Sequence, residues 1–187
     1  RLYWPEPVAG RSQADTLPAV VFAHGGGWVL GTLDSADDIC RSFAARMGAV
    51  VVAVDYRLAP EDPFPAAVED VAAAVDWVHE ATASLGVDPD RLLVAGTSAG
   101  GGLAAAVALR SRDTSLPIAG QVLCYPMLDD DFERASYREH ADAPLLSRAD
   151  VAWFWEEYLP DGVVTAATPL AAPLRAESLA ALPPAVV

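Results

Sequence analysis

The sequence contains few of the residue types on which disulfide scaffolds and metal sites are built. Its two cysteines, Cys40 and Cys124, lie far apart and outside any CxxC pattern, which excludes a disulfide framework and a cysteine-rich zinc site. Its three histidines, His24, His79 and His140, leave few candidates for metal ligation or for a general base. We therefore expect no metal site.

Positive charge and long apolar runs are scarce too. Twelve Lys and Arg residues stand against 26 Asp and Glu, for a net charge of −14, and no basic cluster stands out. This balance argues against a nucleic-acid partner, which requires cations along the phosphates. No apolar run reaches the roughly 18 residues that cross a membrane, and residues 1–5 do not have the pattern of a signal peptide. We expect no membrane partner and a cytoplasmic location.

What the sequence does contain is a regular alternation of apolar strands and helical patterns, with 53% hydrophobic residues overall. Mostly apolar runs typical of buried strands occupy residues 18–23, 49–54, 91–95 and 119–125. Helical patterns separate them, over 34–47, from about 65 to 86, and from 103 onward. Alternating units of this kind predict an α/β fold with a mostly parallel sheet and helices on both faces.

Cap residues and the last residues of the chain give further local predictions. Asp34 or Ser35 is expected to cap the first of these helices, and Gly48 to end it. Ser147 and Asp150 predict a capping box at the start of a later, aromatic-rich helix. Residues 185–187 are expected to open another buried strand.

The strongest catalytic pattern is Gly96-Thr97-Ser98-Ala99-Gly100, which fits G-x-S-x-G between an apolar strand and an Ala-rich helix. On such a sharp turn the serine backbone is strained, and the positions two before and two after it have no room for a side chain. The turn also puts Ser98 at a helix N-terminus, where the dipole favours developing negative charge. Ser98 is therefore predicted to be a nucleophile, the alternative being a plain glycine-rich packing turn.

A second pattern, HGGGW at 24–28, also follows an apolar strand. Successive glycines let backbone N–H groups approach a substrate, and acyl transfer needs such donors for its oxyanion. We predict the amides of Gly26, Gly27 and Ala99 as these donors. His24 is predicted to fix the loop by hydrogen bonding and not to act as the base.

Aromatic residues near these loops are candidate walls of a substrate pocket. Trp28 and the aromatics between Trp153 and Tyr158 could line the acyl or alcohol side, although packing in the core is an equal alternative for each of them. Residues 127–168 are predicted to be a substrate-facing excursion of a single partial domain, 1–187.

Together these residues resemble the hormone-sensitive-lipase-like family of α/β-hydrolases, bacterial carboxylesterases of the GTSAG type in particular. The resemblance covers nearly the whole chain and rests on HGGGWVLG (24–31), DYRLAPE (55–61), DPDR (88–91), GTSAG (96–100), YP (125–126) and LPP (182–184). It implies the α/β-hydrolase fold, Ser98 as nucleophile with the HGGG oxyanion hole, and cofactor-free hydrolysis of short-acyl, small-molecule esters. It also implies that DYRLAPE is a structural loop, so that Arg57 and Glu61 are not catalytic.

The resemblance implies as well that the family's catalytic acid and histidine follow strands that come after LPP. Since the sequence stops at Val187, we expect a chain truncated at both ends, without the last strands and without those two residues. A serine without its base is a weak nucleophile, and loss of the base reduces the rate by about 10⁶. We therefore expect these 187 residues alone to be inactive or barely active.

Several alternatives stay open at this point. The run 129–131 followed by His140 satisfies the order Ser, Asp, His, although a solvated loop is the favoured interpretation of the Asp run and a helix-surface residue that of His79. A non-catalytic protein of the same fold that binds a small ligand, and an amidase or arylformamidase, are alternative functions. A homo-oligomer of the full-length protein is left open.

Overall fold

A six-stranded sheet organises the molecule. The computed structural model describes residues 1–6, 16–112, 114, 117–159 and 169–187. The strands run in the order β1-β3-β2-β4-β5-β6, and all neighbours are parallel except β1 and β3. Their bounds are β1 Leu2–Tyr3, β2 Leu17–Ala23, β3 Val50–Val54, β4 Val87–Thr97, β5 Gly120–Cys124 and β6 Ala185–Val186.

Helices cover both faces of this sheet, as the alternating pattern predicts. Side chains of β2 to β5 contribute to two buried clusters, one shared with α2 and α4 and the other shared with α1. Successive residues of a strand point to opposite faces, which is why Val20 packs in the α1 cluster and Val21 in the α2 and α4 cluster. The helices are α1 Asp37–Met47, α2 Ala66–Glu80, α3 Thr82–Leu85, α4 Ala99–Arg112, α5 Ala135–Glu139 and α6 Arg148–Tyr158, with a 3₁₀ turn at Pro173–Arg175.

Most predicted helix ends are found, with exceptions at the start of α1 and at the start of α4, which begins at Ala99 and not at residue 103. Gly48 ends that helix at φ 62°, and Ser147 with Asp150 forms the capping box of α6. Neither Asp34 nor Ser35 caps α1, so that prediction is wrong. The hydroxyl of Ser35 is engaged three residues upstream instead, where it donates to the Thr32 carbonyl at 2.6 Å and accepts from the Thr32 amide at 3.1 Å.

Two strands differ from prediction, β4 in its first residue and β6 in its exposure. β4 begins at Val87, earlier than predicted, because Val87 pairs with Leu17 across an irregular register. β6 pairs in parallel with β5 as a further strand, but the prediction that it is buried is wrong, since Val186 is 69% exposed. In the part of the chain that the structure describes, β6 is one of the two edge strands of the sheet, which explains this exposure.

Two short elements, β1 and α5, and the 3₁₀ turn at Pro173–Arg175 were not predicted from the sequence. Residues 160–168 of the predicted excursion lie outside the described residues, as do 7–15. No helix among the described residues has both the length and the apolar character to cross a membrane.

Candidate active site

Ser98 occupies a strained turn between β4 and α4. Its φ is +53°, in the left-handed region that a residue with a side chain rarely adopts. Hydrogen bonds hold it there, because its N–H donates to the carbonyl of Cys124 at 2.9 Å and its carbonyl accepts from the N–H of Met127 at 3.1 Å. The ends of β4 and β5 therefore fix the serine together.

The glycines on either side of Ser98 are required by backbone contacts. A β-carbon on Gly96 would lie less than 3.0 Å from the backbone of Gly100. A β-carbon on Gly100 would in turn lie equally close to the carbonyls of Ala23 and His24. The steric explanation of the G-x-S-x-G spacing is confirmed, and the second glycine also lets α4 approach the start of the neighbouring loop.

The glycine loop after β2 lies against this turn. The β-carbon position of Gly25 is 3.1 Å from the Thr97 carbonyl and 3.3 Å from Cβ of Ser98. Gly26 and Gly27 follow at φ +128° and +58°, values that glycine adopts without strain. Among the described residues, no hydrogen-bond acceptor takes the amides of Gly26, Gly27 or Ala99.

His24 is buried and faces its own loop. Its Nδ1 lies 2.8 Å from the carbonyl of Gly25, and its ring stacks on Tyr56 at a centroid distance of 4.2 Å. The Tyr56 hydroxyl donates to the His24 carbonyl at 2.8 Å. Burial lowers the pKa of His24, against the opposing effects of the Gly25 hydrogen bond and of Asp55. An imidazole that is buried and bonded within its own loop fits a loop-supporting residue.

Trp28 lies in the core and not on a pocket wall. It is 1% exposed, stacks on Tyr158 at 4.2 Å and meets Trp155 edge-on at 4.6 Å. The core-packing alternative is therefore the one that the structure shows. Phe154, from the same aromatic helix, instead lies directly over Gly27.

An open cavity of about 450 Å³ adjoins Ser98. Its wall comes mostly from the segment after β5 and from α5 and α6, which is the region predicted to face the substrate. The wall combines apolar and polar side chains, and Leu174 from the 3₁₀ turn closes one side. Its members besides Ser98 and Leu174 include Tyr125, Met127, Leu128, Asp129, Arg134, Tyr137, His140, Leu146 and Val151.

The structure does not assemble the alternative Asp–His pair. Asp129 pairs with Arg134 at 2.6 Å and with Arg175 at 2.8 Å, and Asp130 also pairs with Arg175. Asp129 and Asp130 therefore belong to an ion-paired cluster and are only 13% and 18% exposed, so the solvated-loop interpretation is wrong for these two residues, whereas Asp131 is 47% exposed. His140 lines the Ser98 cavity, but no described carboxylate or hydroxyl bonds its ring.

The remaining histidine and the acidic groups offer no second centre at this site. His79 lines a separate cavity between α2 and α4, with Nε2 buried and without a partner among the described residues. Within the described residues, no three His, Cys, Asp or Glu side chains are grouped so as to hold a metal ion.

Sequence reasoning missed two residues that shape the site, namely Tyr56 and Arg175. Tyr56 lies in the DYRLAPE segment, whose polar residues after a buried strand were the only available indication. Arg175 acts through tertiary contacts that no local spacing reveals. Phe154 was among the aromatic candidates for a pocket wall, but its position over Gly27 depends on tertiary packing.

Comparison with known proteins places this geometry in a family. A sequence model of the family described as the alpha/beta hydrolase fold matches residues 20–187. Carboxylesterase NlhH of Mycobacterium tuberculosis is 45% identical over 191 residues, covering 100% of this chain and 58% of the relative. Bovine arylacetamide deacetylase is 45% identical over 145 residues, covering 73% of this chain and 36% of the relative.

A solved structure agrees with these sequence matches. The crystal structure of EstE1, a thermostable carboxylesterase from a metagenomic library, superposes with a TM-score of 0.90 at 43% identity, covering 100% of this chain and 62% of that one. The chain thus spans about three-fifths of the length of these carboxylesterases. With its serine turn, its glycine loop and these relatives, the chain belongs to the α/β-hydrolase family, in the hormone-sensitive-lipase-like branch that its sequence resembles.

Proposed function

We propose that the protein to which this chain belongs hydrolyses short-acyl carboxylic esters through a Ser98 acyl-enzyme. The observation that carries the proposal is the meeting of two loops. Ser98 is held at φ +53° beside a glycine loop whose Gly26 and Gly27 amides have no acceptor among the described residues. The carboxylesterase relatives support the same reaction class.

The reaction follows from this arrangement. The hydroxyl oxygen of Ser98 attacks the ester carbonyl carbon while a general base takes its proton. The amides of Gly26, Gly27 and Ala99 stabilise the oxyanion that forms. The alcohol then leaves with the proton from the base, and water hydrolyses the acyl-serine to release the acid and restore Ser98.

The described residues do not supply the base at Ser98. His24 is turned into its loop, and His140 is not oriented by a carboxylate. We therefore propose that the 187 residues alone turn over ester slowly or not at all, and that the whole protein supplies the acid and the histidine.

Amide hydrolysis is a second candidate, because arylacetamide deacetylase is among the relatives. An amide would use the same serine and the same oxyanion donors, and would differ in its leaving group. Binding of a small ligand without turnover is the non-enzymatic candidate.

The test uses the whole protein encoded by its gene, next to the chain of residues 1–187. We expect the whole protein to hydrolyse p-nitrophenyl acetate and butyrate, Ser98→Ala to abolish this turnover, and the exposed-serine control Ser84→Ala to leave it unchanged. A p-nitroanilide of the same acyl group separates esterase from amidase. A whole protein that binds these esters without turnover would support the binding function instead, and full turnover by residues 1–187 would overturn the proposal of an inactive fragment.

A further inference from the structure

Tyr56 lies beside His24, the first residue of the glycine loop, and bonds to it. It follows β3, which pairs in parallel with β2, so the carboxyl ends of both strands meet at one edge of the sheet. Tyr56 is 3% exposed. Its hydroxyl lies 2.8 Å from the His24 carbonyl, to which it donates, and 3.2 Å from His24 Nδ1.

The same segment holds the other end of the glycine loop. The N–H of Ala59 donates to the carbonyl of Trp28 at 2.9 Å. Tyr56 and Ala59 therefore hold the first and last residues of the stretch 24–28, with Gly26 and Gly27 between them. Glycine has little conformational preference of its own, so these outer contacts decide where the two amides point.

The holding segment is itself tied to a buried helix. Arg57 donates to both carboxylate oxygens of Asp70 on α2, from Nε at 2.9 Å and from a terminal guanidinium nitrogen at 2.8 Å. The backbone N–H of Arg57 also donates to Asp70, at 2.8 Å. The Tyr56 hydroxyl thus connects the glycine loop to a segment that is bonded to α2.

We propose that Tyr56 is a positioning residue for the oxyanion hole, whose hydroxyl holds the His24 carbonyl and imidazole and thereby aims the amides of Gly26 and Gly27. This inference rests on the proposed function. Oxyanion donors act at 2.7–3.1 Å from the developing charge, and removal of one donor lowers kcat by about 10²–10³. Misdirection of the loop amides is a smaller change, so Tyr56→Phe is expected to lower kcat about 10-fold.

The test compares Tyr56→Phe with Tyr3→Phe in the whole protein. Tyr3 is a matched control, since it is 6% exposed and its hydroxyl donates to Asp37 at 2.9 Å on the outermost strand, β1. We expect both variants to lose similar stability. We expect only Tyr56→Phe to lower kcat, with KM within twofold of the parent value. Its affinity for a trifluoromethyl ketone, which forms an oxyanion on Ser98, should fall by the same factor as kcat.

Two results would overturn the inference. One is an unchanged kcat in Tyr56→Phe, and the other is an equal loss of kcat in both variants, which would indicate a general structural effect. If the unsubstituted whole protein does not hydrolyse ester, the proposed function fails. In that case the ¹H–¹⁵N resonances of the Gly26 and Gly27 amides still test the inference. They should shift in Tyr56→Phe and stay in place in Tyr3→Phe. Unchanged resonances in Tyr56→Phe would overturn the inference.

Discussion

The ring of Phe154 lies directly over Gly27, so that a β-carbon on Gly27 would be less than 3.0 Å from three of its ring atoms. This contact joins the aromatic helix α6 to the loop that carries the predicted oxyanion donors. Gly27 is therefore required for two reasons at once, its φ of +58° and the aromatic ring above it. Helix α6, far away in sequence, determines how tightly the loop is covered.

Gly27→Ala is expected to destabilise the protein by more than backbone strain alone. Gly48→Ala is the control, because Gly48 has a similar φ of +62° but nothing within 4 Å of its β-carbon position. A left-handed conformation costs a non-glycine residue about 1–2 kcal/mol, and Gly27→Ala should exceed the control by a further 1–3 kcal/mol, roughly the range for overpacking. Denaturant unfolding measures both. The double variant Gly27→Ala/Phe154→Leu should recover part of the difference, and equal losses at the two glycines would contradict the contact.

The lowered pKa of His24 makes stability depend on pH near neutrality. The folded state binds its proton more weakly than the unfolded chain, whose histidine pKa is about 6.5. The stabilising contribution is therefore complete above about pH 6.5 and declines as the pH falls below that value. We expect the free energy of unfolding to fall between pH 7 and pH 5, and His24→Gln to remove part of this slope.

The parent protein, measured beside His24→Gln over the same pH range, supplies the reference slope. An imidazole of His24 that titrates at or above 6.5 by NMR would contradict the burial argument.

The Arg57–Asp70 pair should stabilise the fold at pH values above the ordinary pKa of a carboxylate. Burial raises the pKa of Asp70, but the hydrogen bonds from Arg57 outweigh it and the net pKa is lowered. The contribution is thus present above about pH 4 and lost as the pH falls through the lowered value. Asp70→Asn should lower the free energy of unfolding by about 1 kcal/mol at pH 7. At a pH below the lowered pKa of Asp70, the substitution should have no effect on stability. Asp142→Asn, at an exposed position, is the control, and a loss that persists in acid would point to another cause.

Arg175→Met should loosen the wall of the cavity beside Ser98. Arg175 bonds Asp129 and Asp130, and the adjacent N–H of Leu174 donates to the Leu128 carbonyl at 3.2 Å. Without Arg175, two largely buried carboxylates lose a partner that is itself 32% exposed, so the loss of stability should lie between the roughly 1 kcal/mol of an exposed pair and the roughly 3 kcal/mol of a fully buried one. In the whole protein we expect KM to rise severalfold while kcat changes little, because Ser98 and its donors are untouched.

A second substitution separates charge from packing in that prediction. Asp130→Asn removes one of the two carboxylates that depend on Arg175, while Asp129 keeps Arg134. Combined with Arg175→Met, it should recover part of the lost stability in thermal unfolding. No recovery would show that packing of the arginine stem, and not its charge, holds the wall.

Local sequence was sufficient for features whose cause lies within a few residues. Gly96 and Gly100 predict the serine turn, because backbone contacts at these two positions exclude a side chain. Ser147 and Asp150 predict the start of a helix, because the reciprocal hydrogen bonds of a capping box join residues three positions apart. Ser35 does not cap α1, because its hydroxyl donates to the carbonyl of Thr32 instead.

Trp28 shows where the sequence was insufficient. Its spacing from the glycines is compatible with a pocket wall or with the core. It lies in the core because Tyr158 and Trp155 of α6 pack against its ring. The Asp run shows the same limit, since Arg175 reaches Asp129 from 46 positions away.

The sequence by itself determined the order of strands and helices, the serine turn, the glycine loop and therefore the family, because periodicity and backbone sterics act over short distances. The tertiary structure alone decided which groups surround that serine. It turned His24 into its loop beneath Tyr56, engaged the carboxylates 129 and 130 with Arg175, and placed Phe154 over Gly27. These contacts join residues distant along the chain, and their energies come from burial and ion pairing that exist only once the sheet and its helices are packed.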